Sequence, residues 1–342
     1  MIGASPEEII FTSGATESTN FIIKGYLDYR KFYGDGKNHV ITSLVEHRAT
    51  LNTCKYLNGE LYSNNDPTTS LFGEKKKVDR GFEASFVGVT SDGEINVEEI
   101  ISEIKDNTAL VSALYVNNEI GTISDVEAIS EICREKNIAF HSDLTQALGK
   151  TKIDVKKMRI DYASCSAHKI YGPKGIGAAF MKSDAYGIAP ITAFIHGGEQ
   201  EFGLRAGTHA VHNIVGFGKA AEIALRDLKK NEMYIKSLDD MLLKGIANID
   251  GIYTTVNPSK RIPGIVSLVV DKSDFHNERF IKKISDEVAL STGSACSAGE
   301  PSYVIKALGL EDKVTKVLRV SINKYTTEND IQEFIKLLKA EI

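Results

Sequence analysis

Residues 109–116 constrain the fold more than any other stretch. They read Ala109-Leu110-Val111-Ser112-Ala113-Leu114-Tyr115-Val116, a strand pattern apolar at nearly every position. A strand that alternates apolar and polar residues can leave one face in water. This one cannot, so its sheet needs cover on both faces, as in parallel α/β sheets. The segments before and after it agree. Strand patterns at residues 8–12, 39–43, 85–89, 138–143, 159–163 and 178–181 are interspersed with helical runs at 19–33, from Glu46 to about Tyr56, and at 97–105. Ser124-Asp125-Val126-Glu127 reads as a capping box, opening a helix that places Val126, Ile129, Ile132 and Cys133 on one face.

Further along, two long helices are expected between about His212 and Asp250, the second opening a smaller domain. A strand at 265–271, a helix at 277–288, a strand at 317–322 and a helix from Glu328, capped by Thr327, complete it. A chain of 342 residues is long enough for two cores. Residues 58–83 are polar and irregular, and read as an exposed excursion.

Charge and composition exclude several functions. The net charge is −5, so no basic field points to nucleic acid. No apolar run approaches the roughly 18 residues that span a bilayer, and Met1-Ile2-Gly3-Ala4-Ser5-Pro6 lacks the features of a signal peptide. None of the four cysteines (Cys54, Cys133, Cys165, Cys296) forms a C-x-x-C pair, so neither a metal site nor a disulfide scaffold is expected. A reducing, cytoplasmic setting follows, with an organelle such as the mitochondrion left open.

Open α/β sheets bind ligands beyond the carboxyl ends of their strands, and this chain puts polar residues there. Ser13-Gly14-Ala15-Thr16-Glu17-Ser18, between a strand and a helix, is either an anion site or a plain N-cap. His47 could stack on an aromatic ligand and move protons, or simply cap its helix. Asn117 and Asn118 end the apolar strand as ligand contacts or as a turn. Asp143 could pair with a pyridinium nitrogen or cap a helix. Lys169 lies beside His168 and a Gly/Pro turn; if partly desolvated, it is a candidate Schiff-base former. Cys296, among small residues between Gly293 and Gly299, reads as an exposed thiol, nucleophilic or incidental. Arg319 has the fork that binds a carboxylate.

Taken in order, these stretches resemble the cysteine desulfurases of the class V aminotransferase family, near the NifS and IscS types. The matching runs are Phe11-Thr12-Ser13-Gly14-Ala15-Thr16-Glu17-Ser18, Glu46-His47, Val116-Asn117-Asn118-Glu119-Ile120-Gly121 and His141-Ser142-Asp143-Leu144-Thr145-Gln146. They continue through Ser166-Ala167-His168-Lys169, Arg205-Ala206-Gly207-Thr208, Gly293-Ser294-Ala295-Cys296, Glu300-Pro301-Ser302-Tyr303-Val304 and Leu318-Arg319-Val320-Ser321. Each is weak alone; the ordered set is specific.

The resemblance implies an α/β pyridoxal-phosphate-dependent transferase, aspartate aminotransferase-like (fold type I), with a mostly parallel seven-stranded-type sheet. Residues 1–228 would form the large cofactor domain and 229–342 a smaller α+β domain carrying the cysteine loop. It also implies roles. Lys169 would hold pyridoxal phosphate, Asp143 would face the ring nitrogen, and Gln146 the ring hydroxyl. His47 would stack on the ring. Ala15, Thr16, Ser166 and His168 would hold the phosphate, joined by Thr208 from the other subunit of a homodimer. Asn118, near cofactor and substrate, and Arg319 would bind the carboxylate of L-cysteine. Cys296 would take the sulfur as a persulfide and pass it to an acceptor such as an iron–sulfur scaffold protein.

Three departures stand out. The family carries some dozens of residues, including an Asn-Ala-Ala-Thr-like run, ahead of the point where this sequence begins. Its Gly-Gly-Gly-Gln-Glu-Arg-like run reads Gly197-Gly198-Glu199-Gln200-Glu201-Phe202 here, and residues 58–83 look inserted. The other readings are therefore a selenocysteine lyase or another class V aminotransferase-type enzyme, and an inactive scaffold homologue.

Overall fold

The computed structural model describes residues 1–60, 78–184, 187, 189–293 and 301–341. Most of the excursion expected at 58–83, and Cys296, lie outside them. The chain forms two units: Met1–Gly88, Ile95–Tyr115 and Ser124–Arg226 make the first; Val89–Glu94, Val116–Ile123 and Asp227–Ile342 make the second. The sequence reading drew one cut, after residue 228. Segment 116–123 joins the second unit through backbone pairing, Ile123 N–H donating to Lys260 O and Ile262 N–H to Gly121 O, both at 2.9 Å, and segment 89–94 is held by the Thr122 hydroxyl, which donates to Asp92 O at 3.2 Å.

The first unit holds a seven-stranded sheet. Its strands are β1 (Ile9–Thr12), β2 (His39–Ser43), β3 (Glu83–Val87), β4 (Thr108–Ser112), β5 (Ala139–Asp143), β6 (Tyr162–Ser166) and β7 (Gly177–Met181). Their order is β1-β7-β6-β5-β4-β2-β3. β7 runs antiparallel to both neighbours; every other pairing is parallel. This is the mixed, mostly parallel sheet expected. Strands β2, β4, β5 and β7 are buried at every position, which is why residues 108–112 carry no outward polar face.

Helices α1 (Ala15–Phe32), α2 (Arg48–Leu57), α3 (Val97–Glu103) and α4 (Val126–Glu135) belong to this unit. Phe21, Ile22, Tyr26 and Leu27 of α1 join Ile10, Val40, Leu110 and Tyr162 in one cluster. Each such buried side chain contributes about 1.5–3 kcal/mol. Three local expectations are corrected. Helix α4 is capped by Asp125, whose Oδ1 accepts the Ala128 N–H (3.0 Å), rather than by Ser124. The strand placed at 159–163 is β6, because Arg159 takes a left-handed turn (φ 53°) and pairing starts only at Tyr162. The apolar strand stops at Ser112, four residues early, and its polar end belongs to the other unit.

A single helix, α5 (Val211–Ile246), replaces the two expected between 212 and 250. No proline interrupts that stretch, and one helix runs through both units. The second unit then adds β8 (Ile252–Thr254), β9 (Ile265–Val270), α6 (Asn277–Lys283), α7 (Tyr303–Ala307), β10 (Val317–Ser321) and α8 (Glu328–Glu341). Its antiparallel sheet has the order β10-β9-β8. Leu238, Leu242, Val266, Leu268, Phe280, Leu318 and Phe334 form its core. Asp239 and Arg261 are buried there as a two-pronged pair at 2.9 and 2.7 Å.

Candidate active site

Strands β1 and β6 both oppose β7, so they run alike, in parallel with β5, β4 and β2. Their carboxyl ends therefore share one edge of the sheet. On that edge fall residues 13–16, 43–47, 143–146 and 166–169.

The β1–α1 junction is built for close approach. A Cβ on Gly177 would lie 2.6 Å from both the Gly14 Cα and the Cys165 carbonyl oxygen, so only glycine lets these backbones meet. Gly14 offers no side-chain cap to α1, so the first amides, at Ala15 and Thr16, are left without one at the positive end of the helix dipole. The Ser166 hydroxyl lies beside Gly14 and pairs with His168 Nδ1 at 2.8 Å. Burial, then the charges of Lys169 and Lys174, hold the His168 imidazole below its ordinary pKa. Glu17, in the first turn of α1, is gripped by Arg205 through Nε (2.8 Å) and Nη2 (3.3 Å). That pair fixes the stretch leading to Thr208, which is exposed.

Asp143 ends β5 buried, at 6% exposure. Its Oδ1 accepts the Thr145 N–H at 2.8 Å. His47 caps α2: its Nδ1 accepts the Ala49 N–H at 3.1 Å, which leaves the ring proton on Nε2. The Gln146 side-chain oxygen accepts from Lys150 Nζ at 2.6 Å. Lys169 sits on a 3-10 turn, Ala167–Ile170, closed by Tyr171 in the left-handed region (φ 66°). Lys169 is exposed, so the partial desolvation on which its reading as a Schiff-base former was conditioned is not met here.

Two buried groups were missed by the sequence reading. His141, on β5, is the centre of a polar chain across the sheet. Its Nδ1 pairs with Ser112 Oγ (2.8 Å), its Nε2 with Ser164 Oγ (3.2 Å), and Ser164 accepts from Thr19 (2.9 Å). Burial holds this histidine neutral, with its pKa lowered to about 3. Glu46 is fully buried; its Oε1 accepts the Leu114 N–H (2.7 Å) and the Ser43 hydroxyl (3.2 Å). Burial, and then the Asp143 charge, push it up to about 8 against those donors. A carboxyl next to a histidine in sequence was the available signal, but burial is not written in one residue pair.

The second unit holds Asn118 and Arg319. Arg319 projects from β10, with Nη1 on the Asn118 carbonyl at 3.1 Å. Its Nε is buried and has no partner among the described residues. Burial lowers its pKa, and Glu119 works in the opposite direction. A half-buried guanidinium with an unpartnered Nε suits an incoming carboxylate. The three described cysteines are poor thiolates: burial pushes Cys133 and Cys165 up to about 12, and Cys54 further.

These residues fit pyridoxal phosphate. A helix start without a side-chain cap, beside a serine–histidine pair, suits a phosphate. A buried carboxylate suits a ring nitrogen that keeps its proton.

The family description "Aminotransferase class-V" matches residues 1–63 and 69–334, and the chain belongs to that family. Among its relatives, the cysteine desulfurase IscS of Neisseria meningitidis serogroup C (strain 053442) is 40% identical over all of this chain and 78% of its own length. The cysteine desulfurase IscS of Pseudoalteromonas translucida is 37% identical over the same shares. Of solved structures, a NifS-like protein superposes with a TM-score of 0.83 at 32% identity, over 99% of this chain and 84% of its own. DndA from Streptomyces lividans gives 0.75 at 31% identity, over 94% and 84%. The α/β fold expected from the sequence is the fold of these neighbours.

Proposed function

We infer that this protein is a pyridoxal-phosphate-dependent cysteine desulfurase, converting L-cysteine to L-alanine and moving the sulfur onto its own cysteine. The observation that carries the reading is identity near 40% to cysteine desulfurases along the whole chain, joined to a sheet edge whose residues fit the cofactor. The described residues include no helix long and apolar enough to cross a membrane.

When bound, the cofactor supplies an electron sink for the pair released as a Cα–H bond breaks. This chain's residues do the rest. Lys169 anchors the cofactor and then takes the Cα proton on Nζ. Asp143 faces the ring nitrogen and keeps it protonated. His47 stacks on the ring, with its Nε2 proton available to the substrate. Ala15, Thr16, Ser166 and His168 hold the phosphate, with Thr208 supplied by a second subunit, and Gln146 reaches the ring hydroxyl once Lys150 releases it. Asn118 and Arg319 bind and orient the substrate carboxylate. The Cys296 thiolate attacks the substrate sulfur; an S–S bond forms as the Cβ–S bond breaks, its electron pair staying with the carbon side, so that Cβ takes a proton and Lys169 Nζ returns one to Cα, leaving alanine and a persulfide on Cys296. An acceptor protein, such as an iron–sulfur scaffold, would then collect that sulfur.

The test is alanine release from L-cysteine by the purified protein supplied with pyridoxal phosphate. Cys296→Ala should abolish release yet stay yellow, and Lys169→Ala should lose the bound-cofactor absorbance. Release undiminished in Cys296→Ala would refute the nucleophile assignment.

A further inference from the structure

The turn at residues 117–120 carries a second acid whose position the chemistry above leaves unused. Asn117 Oδ1 accepts the amides of Glu119 (2.8 Å) and Ile120 (3.0 Å), and this local loop turns Glu119 inward. Glu119 is 2% exposed. Its Oε2 accepts the Ser302 hydroxyl at 2.6 Å. The same oxygen would lie 3.1 Å from a Cβ on Gly293, so it rests against that backbone. In sequence, Gly293 and Ser302 bracket Cys296.

Both brackets are tied in turn. Ser302 caps α7 by accepting the Ile305 N–H at 3.2 Å. Ser291 Oγ donates to Gly293 O (2.9 Å), and the Ser291 carbonyl accepts the Arg319 N–H (2.8 Å). Arg319 returns to the same turn through the Asn118 carbonyl. One buried carboxylate, on the turn that holds Arg319, is thus bonded to Ser302 and packed against Gly293, the residues that flank Cys296 in the sequence. Burying a carboxylate is costly, and an alanine there would remove the Ser302 bond and the packing against Gly293.

We propose that Glu119 is a positioning residue for sulfur transfer, fixing the roots of the Cys296 segment relative to Arg319. This rests on the assignment of Cys296 as the nucleophile. Displacement of a reacting group by about an ångström costs on the order of 100-fold in rate. The expected result for Glu119→Ala holoenzyme is therefore a loss of kcat for alanine release of about that size, with KM for cysteine and cofactor content little changed.

Glu119→Gln keeps an acceptor for Ser302 and should recover most of the rate. Ser302→Ala should reproduce the loss, and the double alanine variant should be no slower than either single one. In cofactor-free protein, alkylation of Cys296 by iodoacetamide, read by mass spectrometry, should quicken in Glu119→Ala. Wild-type kcat in both alanine variants, or a loss accompanied by depleted cofactor and raised KM, would overturn the proposal. If Cys296→Ala still releases alanine, the nucleophile assignment falls instead.

Discussion

Gly177, the first residue of β7, meets Gly14 so closely that a Cβ on Gly177 would lie 2.6 Å from the Gly14 Cα. The contact sets the α1 amino terminus beside Ser166. Gly177→Ala is expected to cost about 1–3 kcal/mol of stability, because backbone on both sides must move. It should also weaken pyridoxal phosphate binding more than a surface substitution of equal stability cost. Denaturant unfolding and an absorbance titration of the cofactor check the two effects.

Glu46 binds a proton in the folded state up to about pH 8, whereas its ordinary value is 4.5. Between those values the folded chain holds more protons at this site than the unfolded one. Its contribution to stability is therefore complete below about 4.5 and lost as pH rises through 8, by at most about 1.4 kcal/mol per pH unit. His141, lowered to about 3, and His39, lowered to about 4, act the opposite way and make stability climb up to about pH 6.5. Glu46→Gln should remove only the first trend. Unfolding free energies at several pH values, compared with wild type, should show the variant gaining relative stability toward pH 8.

Arg319→Lys keeps the charge but loses the planar fork and its hold on the Asn118 carbonyl. The expected outcome is a KM for cysteine raised about 10- to 100-fold, from loss of one or two charge-assisted hydrogen bonds. Steady-state kinetics check it, with binding of alanine as an independent reading.

Asp239→Ala strands Arg261, whose side chain is 1% exposed, and also removes the acceptor of the Gly264 N–H. Breaking one side of such a pair costs about 3–5 kcal/mol. Calorimetry should show a lowered melting transition, and Asp239→Asn should fall in between.

What the sequence disclosed depended on how local the cause was. The buried strand around Leu110 and Val111 announced a covered sheet, and the ordered runs from Thr12 to Arg319 announced the family. Hydrophobic period and short motifs are properties of neighbours in the chain. The boundary of the apolar strand at Ser112 was misplaced because Ala113 and Tyr115 still bond to His141 and Asp143, while residues from Val116 on join a different unit and pair with residues 260–262, more than a hundred positions away. Glu46 and His141 escaped notice because a polar residue inside a sheet is identified by its partners across strands, not by its own flanks. Lys150 taking up the Gln146 oxygen is a side-chain choice that no pattern encodes.

The pairing of residues 121–123 with 260–262 has a consequence for synthesis. When the ribosome has delivered the seven strands of the first sheet, the turn bearing Asn118 and Glu119 still lacks its hydrogen-bond partners at Lys260 and Ile262. Its final shape must wait until residues 260–262 have emerged, with Arg319 later still. The nascent protein can therefore assemble the strand ends proposed to hold the cofactor well before the turn proposed to hold the substrate is set, and early intermediates should recruit the vitamin while remaining unable to handle the amino acid.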